Sequence, residues 1–307
     1  MKTRFFPRSG SVLILALWAL LLLSAALFAW LKFLNQSIAV TGDRNNGLEA
    51  KALAHSGVMV ALHPQVTRLT PLLSQQFAPD RGYQVQMTGE GGRLDLNWLF
   101  AQPEAPDPGR IDLFKHYLER RGLNFEQRAQ LVDCILDWLS PGNLHRLNGA
   151  EDSPDYHPPH RGFFQSVQEL ALVKGSQPLT LQAGWQDDFT IYTKQGVDLQ
   201  SVSLLILECL PGVGDPNAVR FMKYRQGPDG MDGTLDDHLF KNRDEAINFL
   251  GLTGAAAQQL ANFTYLENPL VTVHIKSTGQ CGNVYRHVEV VAKKGNMQPN
   301  ILSWKEM

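Results

Sequence analysis

Cysteine is scarce in this 307-residue chain: Cys134, Cys209 and Cys281 are the three present. An odd, sparse set cannot frame a disulfide-stapled fold, although an oxidising compartment would permit one bridge. Cys134 and Cys209 sit inside apolar helical patterns and read first as small core residues. An excess of positive charge is missing too. With 28 Lys and Arg against 30 Asp and Glu, the net charge of −2 supplies no general drive toward nucleic acid or anionic lipid. No G-x-S-x-G, H-E-x-x-H or P-loop occurs, nor a G-x-G-x-x-G in a strand–turn–helix context, so no catalysis is expected. The nine histidines form no ligand pattern.

Charge is absent altogether from Ser11 to Leu31. At about 1.5 Å per residue this run makes a helix roughly 31 Å long, enough to cross a bilayer core. Lys2, Arg4 and Arg8 precede it and no acid does, which predicts a cytoplasmic N-terminus with everything after Leu34 outside. The run exceeds the apolar core of a cleaved secretory signal, about 7–15 residues. A plain signal-anchor and a prepilin-like leader, cut between Gly10 and Ser11, both fit Arg8-Ser9-Gly10/Ser11. The 44% apolar, 19% charged composition describes an ordinary globular chain beyond the anchor, in one large or two modest domains.

From Asn35 to Gly47 the chain is polar and turn-prone. Ala50, Leu53, Ala54, Gly57, Val58, Ala61 and Leu62 then form one helical stripe of mostly small residues, ending before Pro64. It suits packing on the protein's own sheet or beside neighbouring subunits. Tyr83–Met87 and Arg93–Trp98 alternate around Glu90-Gly91-Gly92 and predict a hairpin. Helices are expected over 111–122, from Asn124 with Gln127 as capping-box partner, after Ser166 with Glu169, over 198–209, over 218–225 and from Asn242 to Leu250; a strand is expected over 188–193. Two β segments, 270–276 and 285–291, close the chain. Phe163–Gly175 and Leu239–Gly254 share an aromatic, a Ser or Asn cap, a Glu three residues on and a closing Gly, which suggests one helical unit used twice, each with an inserted acidic loop.

The strongest chemical signal is the loop Gly227–Asp237, where Asp229, Asp232, Asp236 and Asp237 crowd between glycines. Oxygen-only ligands at this density suit Ca²⁺ better than zinc, against the alternative of a solvated acidic turn. The second acidic loop offers Glu151 and Asp152, with Asp137 and Asp155 behind. Leu210-Pro211-Gly212-Val213-Gly214, followed by Arg220, Lys223 and Arg225, is similar to a helix-hairpin-helix, which in DNA-binding proteins holds phosphate. Asp215 within it and the overall acidity favour a structural use. The rival function is therefore a membrane-anchored periplasmic DNA receptor.

The order of Arg8-Ser9-Gly10, the apolar helix, Ser56-Gly57, Gly92–Leu99 (GRLDLNWL), Asp137-Trp138, Gly149–Asp152, Ser166–Leu170, Thr190–Thr193 and Val197–Gln200 resembles the type II secretion system protein K family, the large minor pseudopilins. The resemblance covers essentially the whole chain. It implies an α+β fold: a pilin-like long N-terminal transmembrane helix packed on an antiparallel sheet, with a large inserted helical (SAM-like or helix-hairpin-helix-like) domain. The implied boundaries are a leader 1–10, a membrane part 11–34, helix and first strands 35–100, an insert 101–262 interrupted by strand 188–193, and closing strands 263–307. It also implies cleavage by the prepilin peptidase after Gly10 and methylation of Ser11. Further implications are a single pass through the inner membrane with the bulk periplasmic, a place at the pseudopilus tip with pseudopilins I and J and the other pseudopilins, and structural Ca²⁺. Most pilin-like subunits carry Glu at the fifth mature position; here it is Leu15. A buried unpaired carboxylate is costly, and a first subunit has nothing above to pair with. Gln200 replaces an expected Asn, and Gly42–Gly47 would bend the long helix.

Overall fold

The computed structural model describes residues 9–142, 145–150, 152–295 and 298–306. Its first element is a single helix, α1 (Ser9–Leu62), of 54 residues. The expected interruption between Asn35 and Gly47 does not occur. No proline lies in this stretch, and a break would create two further helix ends, each with four unpaired backbone groups. Against that, an isolated glycine costs only about 1 kcal/mol relative to Ala.

Five antiparallel strands form the main sheet: β1 (Ser74–Ala78) and β2 (Arg81–Gly89) early in the chain, and three at its end. The spatial order is β1-β2-β7-β8-β9, with β7 Thr272–Cys281, β8 Val284–Lys293 and β9 Asn300–Glu306. The second half of α1 lies on one face. Ala50, Ala54, Val58 and Ala61 are fully buried there, against Val85, Met87, Val273, Ile275, Val288 and Val290. The small stripe therefore serves the protein's own sheet. A Cβ on Gly57 would fall 2.4 Å from Ser277 Oγ, and one on Gly279 would fall 2.0 Å from the Ala50 carbonyl. Both glycines set how closely helix and sheet approach.

The hairpin expected around Glu90-Gly91-Gly92 is not formed. β2 pairs with β7, and Leu94–Asp95 (β3) instead runs parallel to β4 (Phe189–Thr190). Glu90–Gly92 is a single 3₁₀ turn that leaves the sheet, packed so tightly that a Cβ on Gly92 would meet the Ser201 carbonyl at 2.0 Å. Between Gly89 and Thr272 the chain is largely helical, with its own apolar core centred on Phe100, Phe114, Tyr117, Ile135, Phe189, Leu199, Phe221 and Phe240.

This region has α2 (Leu96–Leu99), α3 (Pro108–Arg120), α4 (Phe125–Leu139), α5 (Gln177–Thr180), α6 (Leu204–Cys209), α7 (Asp215–Arg225), α8 (Arg243–Phe249) and α9 (Gly254–Phe263). The capping box at Asn124 and Gln127 heads α4 as expected. The helix expected over 198–209 is shorter. Asp198 accepts from the Gln200 N–H, Val197–Asp198 becomes strand β5, parallel to β6 (Thr264–Tyr265), and Ser203 caps α6. Only Phe189–Thr190 of the expected strand 188–193 is extended, because Asp188 closes a 3₁₀ turn and is drawn to Tyr117 and Arg121. The segment after Ser166 is 3₁₀, Val167–Leu172.

Candidate functional site

Three places carry the residues singled out above: the free half of α1, the hairpin around Gly212, and the two inserted loops. Among the described residues, the first half of α1 packs against no other element. Its apolar side chains from Val12 to Phe33 are exposed, Leu15 among them, and with an 18-residue stretch of mean hydropathy 2.7 the helix is long and apolar enough to cross a membrane. Gly10 and Ser11 lie within the helix at its start.

The hairpin turns on Gly212, whose φ of +79° is the left-handed region that glycine adopts without strain. Its cations are not aimed at a ligand. Arg225 is fully buried, Arg220 donates to the Phe249 carbonyl at 2.6 Å, and Asp215 at the mouth is paired with Arg120. Among these, Lys223 stands in solvent. The hairpin holds helices together, and two of the three cations singled out there are engaged within the fold.

The loop between α7 and α8 folds back on the sheet. Gly233 receives the Met87 N–H on its carbonyl, covering the edge of β2 beyond the end of β1. A Cβ there would lie 2.9 Å from Met87 backbone atoms, and φ is +79°. The structure brings the four aspartates into one loop but gives them different work. Asp232 forms an ion pair with Arg225 at 2.7 Å and accepts from Gln226 at 3.0 Å. Asp229 accepts from the Met231 N–H and Asp236 from the Asp229 N–H. Asp237 accepts from Gly233 N–H at 2.7 Å, and burial pushes its carboxyl up to about 6, against the pull of that N–H and of Arg68 and Arg225. The Thr234 hydroxyl lies 2.9 Å from Asp236 Oδ1, 3.4 Å from Asp237 Oδ1 and 3.3 Å from the Met231 carbonyl. One hydroxyl proton can serve one of these three acceptors at a time.

In the loop between α4 and the Ser166 turn the candidates are not gathered. Asp137 is buried against Arg146, at 2.8 Å from its guanidinium and 3.1 Å from its N–H. Asp152 faces outward and meets His160 Nε2 at 3.4 Å, and Asp155 is exposed. Glu151 lies outside the described residues. Among the described residues, no three His, Cys, Asp or Glu side chains come together as a ready-made metal site.

Arg225 and Arg146 are the residues that sequence reasoning missed as loop anchors. For Arg225 a signal existed: it continues the apolar face Ala218, Phe221, Met222 at helical spacing, where a solvated arginine does not belong. A further polar link joins sheet and helical region. Arg93 donates to His274 Nδ1 at 2.9 Å, and His274 Nε2 lies 2.6 Å from Glu289. That hydrogen bond holds the Glu289 carboxyl down at about 2 against its partial burial.

No curated protein sequence matches. The fold is shared with a chain from the crystal structure of the GspK-GspI-GspJ complex of the enterotoxigenic Escherichia coli Type 2 Secretion System. That likeness has a TM-score of 0.57 and 12% identity, and covers 88% of this chain and 99% of that one. Residues 92–183, spanning β3 to just before β4, match the family described as Type II secretion system (T2SS), protein K. That match lies inside the shared fold, so sequence and fold both support a likeness to the type II secretion system protein K family.

Proposed function

We propose that this chain is a minor pseudopilin at the tip of the periplasmic pseudopilus, where it helps to start the filament and so takes part in exporting proteins across the outer membrane. The observation that carries the reading is how the chain is divided. Half of α1 is bare and apolar, the other half is packed on a five-stranded sheet, and residues 90–271 stand between two strands of that sheet. A bare apolar half-helix suits the inner membrane first and side-by-side packing with other pseudopilins later. So large an extra region is best placed where no subunit must fit above it. Leu15 supports the same position, since a first subunit needs no carboxylate inside the apolar helix. The partners are pseudopilins I and J, by the likeness to the complex above. The N-terminus is cytoplasmic and the bulk periplasmic, following Lys2, Arg4 and Arg8.

Intact-mass measurement of the membrane-extracted protein tests the processing: loss of residues 1–10 with one added methyl on Ser11 is expected, and Gly10→Val retains the leader. Co-purification with pseudopilins I and J tests the place. A processed chain that never associates with them would sink the tip assignment.

A Ca²⁺ ion belongs to the same reading, at the α7–α8 loop. The acceptors around Thr234 are oxygen only, as this hard cation requires. Asp236, Asp237 and the Met231 carbonyl would hold it, with Asp232 kept as the counter-charge of Arg225. The ion would supply charge neutralisation and fix the loop on β2. Chelation by EDTA should lower the melting temperature of the full chain and excess Ca²⁺ restore it, with Asp236→Asn blunting both; identical melts with EDTA and Ca²⁺ remove the ion.

A further inference from the structure

Asp198 and Asp95 hold the same place in two short parallel strand pairs, β5 with β6 and β3 with β4, yet they are satisfied differently. Asp95 uses both oxygens: Oδ1 accepts from the Trp98 N–H, and Oδ2 accepts from the Thr193 and Lys194 N–H groups and the Thr193 hydroxyl. Asp198 Oδ1 accepts from the Gln200 and Glu267 N–H groups, both at 3.0 Å. Its Oδ2 is buried and, among the described residues, has no well-formed hydrogen bond, with the Ser201 hydroxyl on that side of the carboxyl; Oε2 of Glu267 is likewise buried and unpaired. Asp198 is fully buried, and a Cβ on Gly89 would fall 2.9 Å from its Oδ2.

The place matters because both crossings between sheet and helical region meet there. The chain leaves the sheet at Gly89–Gly92, where a Cβ on Gly91 would strike the Tyr265 hydroxyl at 1.8 Å, and Gly89 N–H donates to Ser201 Oγ at 2.8 Å. It returns through Glu267–Leu270 into β7. From the α1 side, buried Arg68 donates to the Gln200 carbonyl at 3.2 Å. The cation acting on both carboxyls is Arg68, which also feels Asp237, Asp232 and Arg225; Tyr265 lies beside the pair and also feels Glu90 and Asp95. Arg68 is shared with Asp237 and Asp232, and neighbouring buried carboxylates do not both stay ionised without compensation.

We propose that the Asp198–Glu267 pair holds a proton at neutral pH, making the junction between sheet and helical region proton-linked. Burial raises both carboxyls above the ordinary range, and the charge of Asp198 raises Glu267 further, while nearby N–H groups, Arg68 and, for Asp198, the Ser201 hydroxyl oppose. Because the folded form then binds more protons than the unfolded one, this contribution to stability is largest at low pH. It is lost as pH rises from the ordinary carboxylate range through the raised folded values.

The test uses the full chain in detergent. Infrared spectroscopy at pH 7 should show the carbonyl band of a protonated carboxyl that is lost in Asp198→Asn and in Glu267→Gln, and kept in Asp95→Asn. The melting temperature should rise on acidification from pH 8 to pH 5 more in wild type than in either pair variant. Should Asp198→Asn fail to fold, Glu267→Gln carries the test alone. A wild-type spectrum without that band at neutral pH, a band that survives Glu267→Gln, or one removed by Asp95→Asn overturns the proposal.

Discussion

The helical region contains two stretches built to one plan, residues 94–194 and 197–267, and their differences are as informative as their likeness. Each opens with a short strand ending in Asp, Leu94–Asp95 or Val197–Asp198, and closes with the parallel partner of that strand. Asn97 exchanges two hydrogen bonds with the backbone of Phe164, and Gln200 does the same work with His238 and Phe240. Each turns its first helix pair at a left-handed glycine, Gly122 or Gly212. Ser166 and Asn242 then accept from the N–H of Glu169 and Glu245. Those glutamates reach back to the N–H of Gln165 and Lys241, both at 2.8 Å. Where they differ is the charge that fastens the inserted loop. In the first, an acid at the end of a helix, Asp137, receives Arg146 from the loop; in the second, a base at the end of a helix, Arg225, receives Asp232. The plan requires an anchored loop and is indifferent to which side carries which sign. What is not symmetrical is depth: Arg225 is fully buried, whereas the Arg146 side chain keeps 24% exposure.

That asymmetry sets the largest expected effect. Arg225→Met strips Asp232 of its counter-ion and leaves the Leu199 and Val202 carbonyls without their donor, at 3.1 and 2.7 Å. Breaking a buried pair from one side costs about 3–5 kcal/mol. Asp137→Asn should cost less, about 1–3 kcal/mol, because Arg146 can turn to water. Denaturant unfolding of the two variants measures the difference, and equal losses would break the argument from depth. A second contrast lies in the loops themselves. Gly162 and Gly233 both have positive φ, 80° and 79°, but a Cβ on Gly162 meets open space while one on Gly233 meets Met87. Gly162→Ala should cost only the left-handed strain, about 1–2 kcal/mol. Gly233→Ala adds a backbone clash and should also detach the loop from β2, visible as faster amide exchange at Met87.

Much of this plan was legible in the residues, and the illegible part has a physical reason. The Ser166 and Asn242 caps, the Asn124 capping box and the likeness of the two segments are local patterns, readable because donor and acceptor lie three or four residues apart. The hairpin placed at Glu90–Gly92 failed because alternation specifies a strand but not its partner, and β2's partner is nearly two hundred residues away in β7. The acidic loops were read by composition alone. Composition could not reveal that Asp232 and Asp137 already have buried or half-buried arginines, since Arg146 comes from within its own loop and Arg225 from a helix face that looked apolar. The pairing of Leu94–Asp95 with Phe189–Thr190 was likewise invisible, being only two residues long.

The smallest expected effect bears most directly on whether the two stretches are separate repeats of one construction. Ser166→Ala and Asn242→Ala each remove one side-chain acceptor from an N–H, at 3.3 and 2.9 Å, and should each cost about 1 kcal/mol, the Asn slightly more for its shorter bond. Neither cap shares a hydrogen-bond partner with the other: Glu169 is held by Trp138 and Arg161, while Glu245 answers to Lys241. Independent sites add to within about 0.3–0.5 kcal/mol, so the double variant should lose the sum. A coupling well beyond that would mean the two capped turns stabilise one another through the common apolar core, and the stretches would then be one cooperative body whose repetition is of local geometry alone.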